Sequence, residues 1–175
     1  MYFLGLDLGQ KRDYSAVVVV ERRAFSGLAV RYAERMPLGT SYPRVVERVR
    51  EIAGSGELPG NCALAVDATG VGAPVVDMLR AARLGCDLSA VVITGGERGV
   101  GKGSVAKRDL MGELRVLLEQ GRLKIGSLRE GPRLVRELAD VREWDGRVGS
   151  YGAGKHDDLV IALALACWRA KRRGI

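Results

Sequence analysis

An apolar run opens the chain: Tyr2, Phe3, Leu4, Leu6 and Leu8 are interrupted only by Gly5 and Asp7. A second run follows at residues 15–22, centred on Val17, Val18, Val19 and Val20, and a third at 27–36. The segments between them are too short for crossover helices, so the pattern predicts three successive strands paired antiparallel. Helical spacing then takes over, with Val45, Val46, Val49 and Ile52 on one face, Ser41 in the N-cap position and Gly54 at the end. After Pro59 and Gly60, Cys-Ala-Leu-Ala-Val-Asp at 62–67 is apolar at every position but the last. Continuous apolarity predicts a central strand buried on both faces.

Pro74 opens a predicted helix over 74–83, and 89–94 reads as another strand. A Gly-rich basic loop spans 95–104. Helices are predicted over 107–120 and 132–142, and a last one from residue 155 carries the apolar run 159–168. The order β-β-β-α-β-α-β-α-α-α implies an α/β domain, with a mixed sheet of five strands or slightly more, the first three antiparallel, and helices on both faces.

The chain has 175 residues, 47% of them hydrophobic, enough for one core, so a single domain over 1–175 is expected. A net charge of +7 and a pI near 9.7 would attract polyanions, nucleic acid first among them, although an Arg-rich soluble surface has the same composition. Cys62, Cys86 and Cys167 are far apart in apolar surroundings and are expected to be reduced thiols. With His156 the sole histidine, a zinc site lacks ligands. Neither a signal peptide nor an apolar stretch of about 20 residues is present, so a cytoplasmic location without membrane contact is expected.

Acids stand where apolar elements meet turns: Asp7 in Leu-Gly-Leu-Asp-Leu-Gly, Asp67 in Val-Asp-Ala-Thr-Gly-Val-Gly, and Asp157 with Asp158 in Lys-His-Asp-Asp-Leu. Each has a local explanation. Asp7 and Asp67 suit turns, and acids in a first helical turn complement the helix dipole. Two acids at strand ends of one sheet nevertheless point to a shared site, because ligands gather outside the carboxyl ends of parallel strands. Carboxylates in a basic protein suit Mg2+ or Mn2+, and two such ions about 4 Å apart can hold the attacking and leaving oxygens of a phosphodiester. Neighbouring helical positions diverge by about 100°, so Asp158 is taken as the firmer ligand of the final pair.

The ordered set LGLDLG, VDATGVG, KRDLMGEL and HDDLVIALALA, spread over nearly the whole chain, resembles the nuclease domain of the bacteriophage terminase large subunit. The resemblance implies a ribonuclease H-like fold and a two-metal endonuclease that cuts concatemeric double-stranded DNA during genome packaging, in the host cytoplasm. Carried over, Asp7, Asp67, Asp157 and Asp158 become the catalytic acids that hold two Mg2+ or Mn2+ ions. Arg98, Lys102, Lys107 and Arg108 are candidates for the DNA backbone, and His156 for a phosphate. Terminase large subunits usually carry an ATPase domain ahead of the nuclease, for which six residues before Asp7 leave no room. Motor partners such as that domain, the small subunit and the portal are therefore expected only if the chain works within a packaging machine.

Other readings remain open. Gly96 to Gly103, GERGVGKG, has Gly103 where a phosphate-binding loop needs Ser or Thr. The actin-like ATPase fold also opens on Asp-x-Gly but needs two domains around its nucleotide. A Holliday-junction resolvase would share the fold and the acids. A non-catalytic DNA-binding module would carry acids that repel phosphate. Serine or cysteine nucleophilic catalysis lacks both a separate base and a G-x-S-x-G turn.

Overall fold

A computed structural model describes residues 1–9, 13–23, 27–58, 61–70, 72–95, 103–144, 147–150 and 156–173. Its centre is β1 (Tyr2–Asp7), flanked on one side by β2 (Ala16–Arg23) and β3 (Gly27–Arg35), both in antiparallel hairpin pairing. On the other side β1 runs parallel to β4 (Cys62–Asp67) and β4 parallel to β5 (Cys86–Thr94). Short strands close the sheet: β6 (Ser104–Ala106) beside β5, and β7 (Leu123–Ile125) beside β3. The seven-stranded order is β6-β5-β4-β1-β2-β3-β7, with a separate hairpin of β8 (Val141–Trp144) and β9 (Arg147–Ser150).

Period-2 alternation sorts the central strands into two cores. Leu4 and Leu6 of β1, with Leu64 and Val66 of β4, pack toward α1 (Tyr42–Ala53) and α2 (Gly72–Ala81). Phe3 of β1, with Ala63 and Ala65 of β4, faces α3 (Lys107–Glu119), α4 (Gly131–Asp140) and α5 (Asp158–Arg172). Helices thus cover both faces, as the pattern predicts. Residues 159–168 of α5 are all buried, as expected of a helix apolar around its whole circumference.

Small residues seat α5 against the sheet. A Cβ built at Gly5 would collide with the carbonyl oxygen of Ala162 and stand 2.7 Å from the Ala166 nitrogen. Glycine lets the helix rest on the β1 backbone. At its far end Arg22 of β2 lies over the Phe3 ring and donates to the carbonyls of Ala170 and Arg173, satisfying acceptors that the last turn leaves open. The helix therefore runs antiparallel to β1, with Asp158 above the strand's carboxyl end.

Several expectations need correction. Cys62 and Cys86 are in-register neighbours on parallel strands and form a disulfide; only Cys167 is a free, buried thiol. The short strands β6 to β9, of three or four residues, have no periodic signature long enough to read. Ser41 occupies the N-cap position of α1, but its side chain makes no capping bond. The last helix begins at Asp158, after His156 and Asp157. Most of the Gly-rich basic loop, from residue 96 to residue 102, lies outside the described residues. Among those described, no helix is long and apolar enough to cross a membrane.

Candidate active site

The sheet brings the first two acids together. Leu6 pairs with Val66 in the parallel β1–β4 register, which makes Asp7 and Asp67 the next pair along. Neighbouring strands lie about 4.8 Å apart. Counting by twos from Phe3 and Gly5, and from Ala63 and Ala65, puts both carboxylates on the face covered by α5. The turn after β4 is fixed: Asp67 Oδ1 accepts the Thr69 N–H at 2.8 Å, and Thr69 Oγ1 accepts the Ile93 N–H at 2.8 Å and donates to the Ile93 carbonyl at 3.3 Å. Asp67 is thereby tied to β5 as well as β4.

The close seating of α5 supplies the third acid. From Ala162, above Gly5, back to Asp158 is four residues, about 6 Å of helix. From Gly5 forward to Asp7 is two residues, about 6.6 Å of strand. Asp158 accordingly overhangs the end of β1. It is only 6% exposed, and its Oδ2 has no hydrogen-bond partner among the described residues. Among the described residues, the basic side chains that approach Oδ2 are His156, through Nδ1 at 3.7 Å, and Arg35, through Nη1 at 3.9 Å. Asp157, one residue earlier, accepts from Lys107 Nζ at 2.7 Å. Lys107 opens α3 directly after β6.

The electrostatics follow from this convergence. Burial holds the Asp7 carboxyl well above the usual carboxylate range, and the charges of Asp67, Asp158 and Asp157 raise it further against the opposing pull of Lys107. Burial also raises Asp67, with the Thr69 hydrogen bonds and Lys107 acting in the other direction. Asp158 is pushed up to about 6, chiefly by burial, while His156 and Arg35 partly offset the rise. Among the described residues no three carboxylate, imidazole or thiol groups close into a finished cation cage. The donor set nevertheless fits a hard divalent cation: it is all carboxylate oxygen, and a buried, unpartnered Asp158 oxygen is the kind of atom such a cation satisfies.

Glu137 escaped the sequence reading. It lies on α4, only 6% exposed, and burial lifts its carboxyl to about 7. Its position was a signal, because it falls three residues after the buried Leu134 on the apolar stripe of an amphipathic helix. Tyr14 and Arg35 complete the surroundings: the Arg35 guanidinium stacks 4.1 Å from the Tyr14 ring centre, and Tyr14 meets His156 edge-on at 5.0 Å. Of the proposed DNA contacts, Lys107 sits among the acids and Arg108 follows it on α3, whereas Arg98 and Lys102 lie outside the described residues.

No family model and no curated protein matches the chain. Solved structures do. The large terminase nuclease from thermophilic phage G20c is 25% identical, with a TM-score of 0.73 over 95% of this chain and 80% of that one. The large terminase nuclease domain of Thermus phage P74-26, also 25% identical, gives 0.68 over 95% and 77%. The large terminase nuclease domain of bacteriophage SPP1, solved with bound Mn, gives 0.63 at 14% identity over 97% and 86%. The fold is ribonuclease H-like, and the resemblance to large-terminase nuclease domains extends over nearly the entire chain.

Proposed function

We propose that the chain is a divalent-metal-dependent DNA endonuclease of the large-terminase type. What supports this reading is the pairing of Asp7 and Asp67 at the carboxyl ends of adjacent parallel strands, with the charges of Asp67 and Asp158 acting on Asp7 and one Asp158 oxygen without a hydrogen bond. Asp7, Asp67 and Asp158, with Asp157 beside them, would hold two Mg2+ or Mn2+ ions. Bound there, such ions supply Lewis acidity toward a water nucleophile and the departing oxygen of a phosphodiester. The Mn-bound SPP1 domain supports the choice of metal.

The protein's own groups supply positioning and charge. Thr69 fixes the Asp67 carboxylate, the α5 backbone places Asp158, and Lys107 neutralises Asp157. Arg108, with Arg98 and Lys102 of the neighbouring loop, would track the phosphates of double-stranded DNA, giving salt-sensitive binding without sequence information. In a packaging machine the remaining partners would be an ATPase domain, the small subunit and the portal.

Plasmid cleavage in Mg2+, in Mn2+ and in chelator tests the reading, with Asp67→Ala alongside. Nicking that requires metal and disappears in the variant is expected. Undiminished cutting by Asp67→Ala would defeat the proposal, and a four-way junction in the same panel separates duplex cutting from junction resolution.

A further inference from the structure

Asp158 begins a helix whose own N-terminal residues provide no side-chain cap. The first turn of any helix presents N–H groups without intrahelical partners, and a buried first turn must find them elsewhere. Here the acceptor comes from another helix: Glu137 Oε2 of α4 accepts the Leu159 N–H at 3.0 Å. The other oxygen, Oε1, accepts from Arg35 Nη1 of β3 at 3.4 Å. Both oxygens of Glu137 are thus engaged, which leaves it poorly suited to bind a cation itself and well suited to hold its neighbours.

Arg35 has a choice of acids. Its Nη1 is 3.4 Å from Glu137 and 3.9 Å from Asp158 Oδ2, so the hydrogen bond goes to Glu137. Stacking on Tyr14 fixes the guanidinium in this orientation. The consequence is that Asp158 Oδ2 remains buried beside a cation without being captured by it. We propose that Glu137 and Arg35 are positioning residues: Glu137 pins the first turn of α5 and draws Arg35 off Asp158, keeping that carboxylate available to a divalent cation. The inference rests on the metal-nuclease reading.

Without Glu137, the Leu159 N–H loses its acceptor and Arg35 keeps Asp158 as its ion-pair partner among the described residues. Both changes work against metal binding. Supporting groups of this kind typically contribute 10- to 100-fold in metal affinity. Glu137→Gln separates the two effects, because its amide oxygen can still accept the Leu159 N–H while its charge no longer competes for Arg35.

The test is Mn2+ binding to the DNA-free protein, followed by the electron paramagnetic resonance of free Mn2+, together with amide exchange at Leu159 and plasmid nicking across a Mn2+ series. Glu137→Ala should bind Mn2+ about 10- to 100-fold more weakly, exchange the Leu159 amide faster, and regain nicking as Mn2+ is raised. Glu137→Gln should keep the amide protected and lose less affinity. Asp158→Ala should not regain nicking at any Mn2+ concentration. Wild-type affinity in Glu137→Ala, or in Glu137→Gln should the alanine variant fail to fold, overturns the positioning role while leaving the nuclease reading intact. A native protein that neither binds Mn2+ nor nicks DNA overturns the nuclease reading and this inference with it.

Discussion

Gly5 of β1 lies directly beneath Ala162 of α5, so close that a side chain at residue 5 would occupy the space of the Ala162 carbonyl oxygen. This close approach sets the height of α5 above the sheet and, one helical turn earlier, the position of Asp158 over Asp7. A glycine in the middle of a buried strand costs backbone entropy, and here the seating of a helix offsets it.

Gly5→Ala should therefore do more than fill a gap. The atoms it meets are backbone, which cannot rotate away, so the helix must lift. A destabilisation of about 3 kcal/mol or more is expected, at or above the upper end of ordinary overpacking, with weakened Mn2+ binding in whatever remains folded. Chemical denaturation and metal titration of the variant check both.

Asp7→Asn should separate stability from activity. The Asp7 carboxyl is disfavoured in its charged form by burial and by three neighbouring acids. Removing that charge should raise the melting temperature of the metal-free protein while abolishing both metal-induced stabilisation and cleavage. Thermal melts with and without Mn2+ read the first two, since a ligand that binds only the native state raises the melting temperature. A metal-free variant that melts below the unmodified protein would contradict the argument.

Stability should also depend on pH with a definite sign. Glu137 and Asp158 titrate near 7 and 6 in the fold, against ordinary values near 4.5 and 3.8, so the folded state holds protons that the unfolded chain gives up. The stabilisation is complete below about pH 4 and is lost as pH rises through about 6 to 7. The metal-free protein should accordingly melt lower at pH 8 than at pH 5. A change of about 2 kcal/mol corresponds to roughly 4–8 °C for a chain of this size. Because a cation must displace the Asp158 proton, Mn2+ affinity should rise as pH passes through about 6. A melting temperature flat from pH 5 to 8 would rule out the proton uptake.

Those groups differ in how far the sequence disclosed them. Asp7 and Asp67 were legible because each ends an apolar run, and an acid at the end of a buried strand is conspicuous. Asp158 was legible through the long apolar run behind it. Glu137 shows in the sequence only its place on the apolar stripe of α4, and Arg35 shows nothing distinctive, since a β3 arginine and an α4 glutamate acquire their meaning only when those elements meet beside α5. The Cys62–Cys86 pairing was hidden for a related reason: it depends on the register of two parallel strands, which spacing along the chain does not reveal. Arg169 and Arg173 pair with Asp87, and Lys171 with Glu113, at the end of α5 opposite Asp158.

Lys107, which the sequence groups with the DNA-binding cations, stands among the acids in the fold. Its ammonium donates to Asp157 Oδ2 at 2.7 Å and pulls against the raised carboxyls of Asp7 and Asp67. Lys107→Met keeps the apolar stem and removes that charge, so the acids repel one another unrelieved and the metal-free melting temperature should fall. Mn2+, which restores positive charge, should recover most of the loss. On duplex DNA, removing one cation that neutralises a phosphate flattens the plot of log affinity against log salt by about 0.9. An ammonium committed to Asp157 neutralises no phosphate, so Lys107→Met should leave the slope unchanged. Arg108→Ala, if its guanidinium follows the backbone, should flatten it by about 0.9. A slope that flattens in Lys107→Met and not in Arg108→Ala would return Lys107 to the DNA and leave Asp157 to be neutralised by the metal alone.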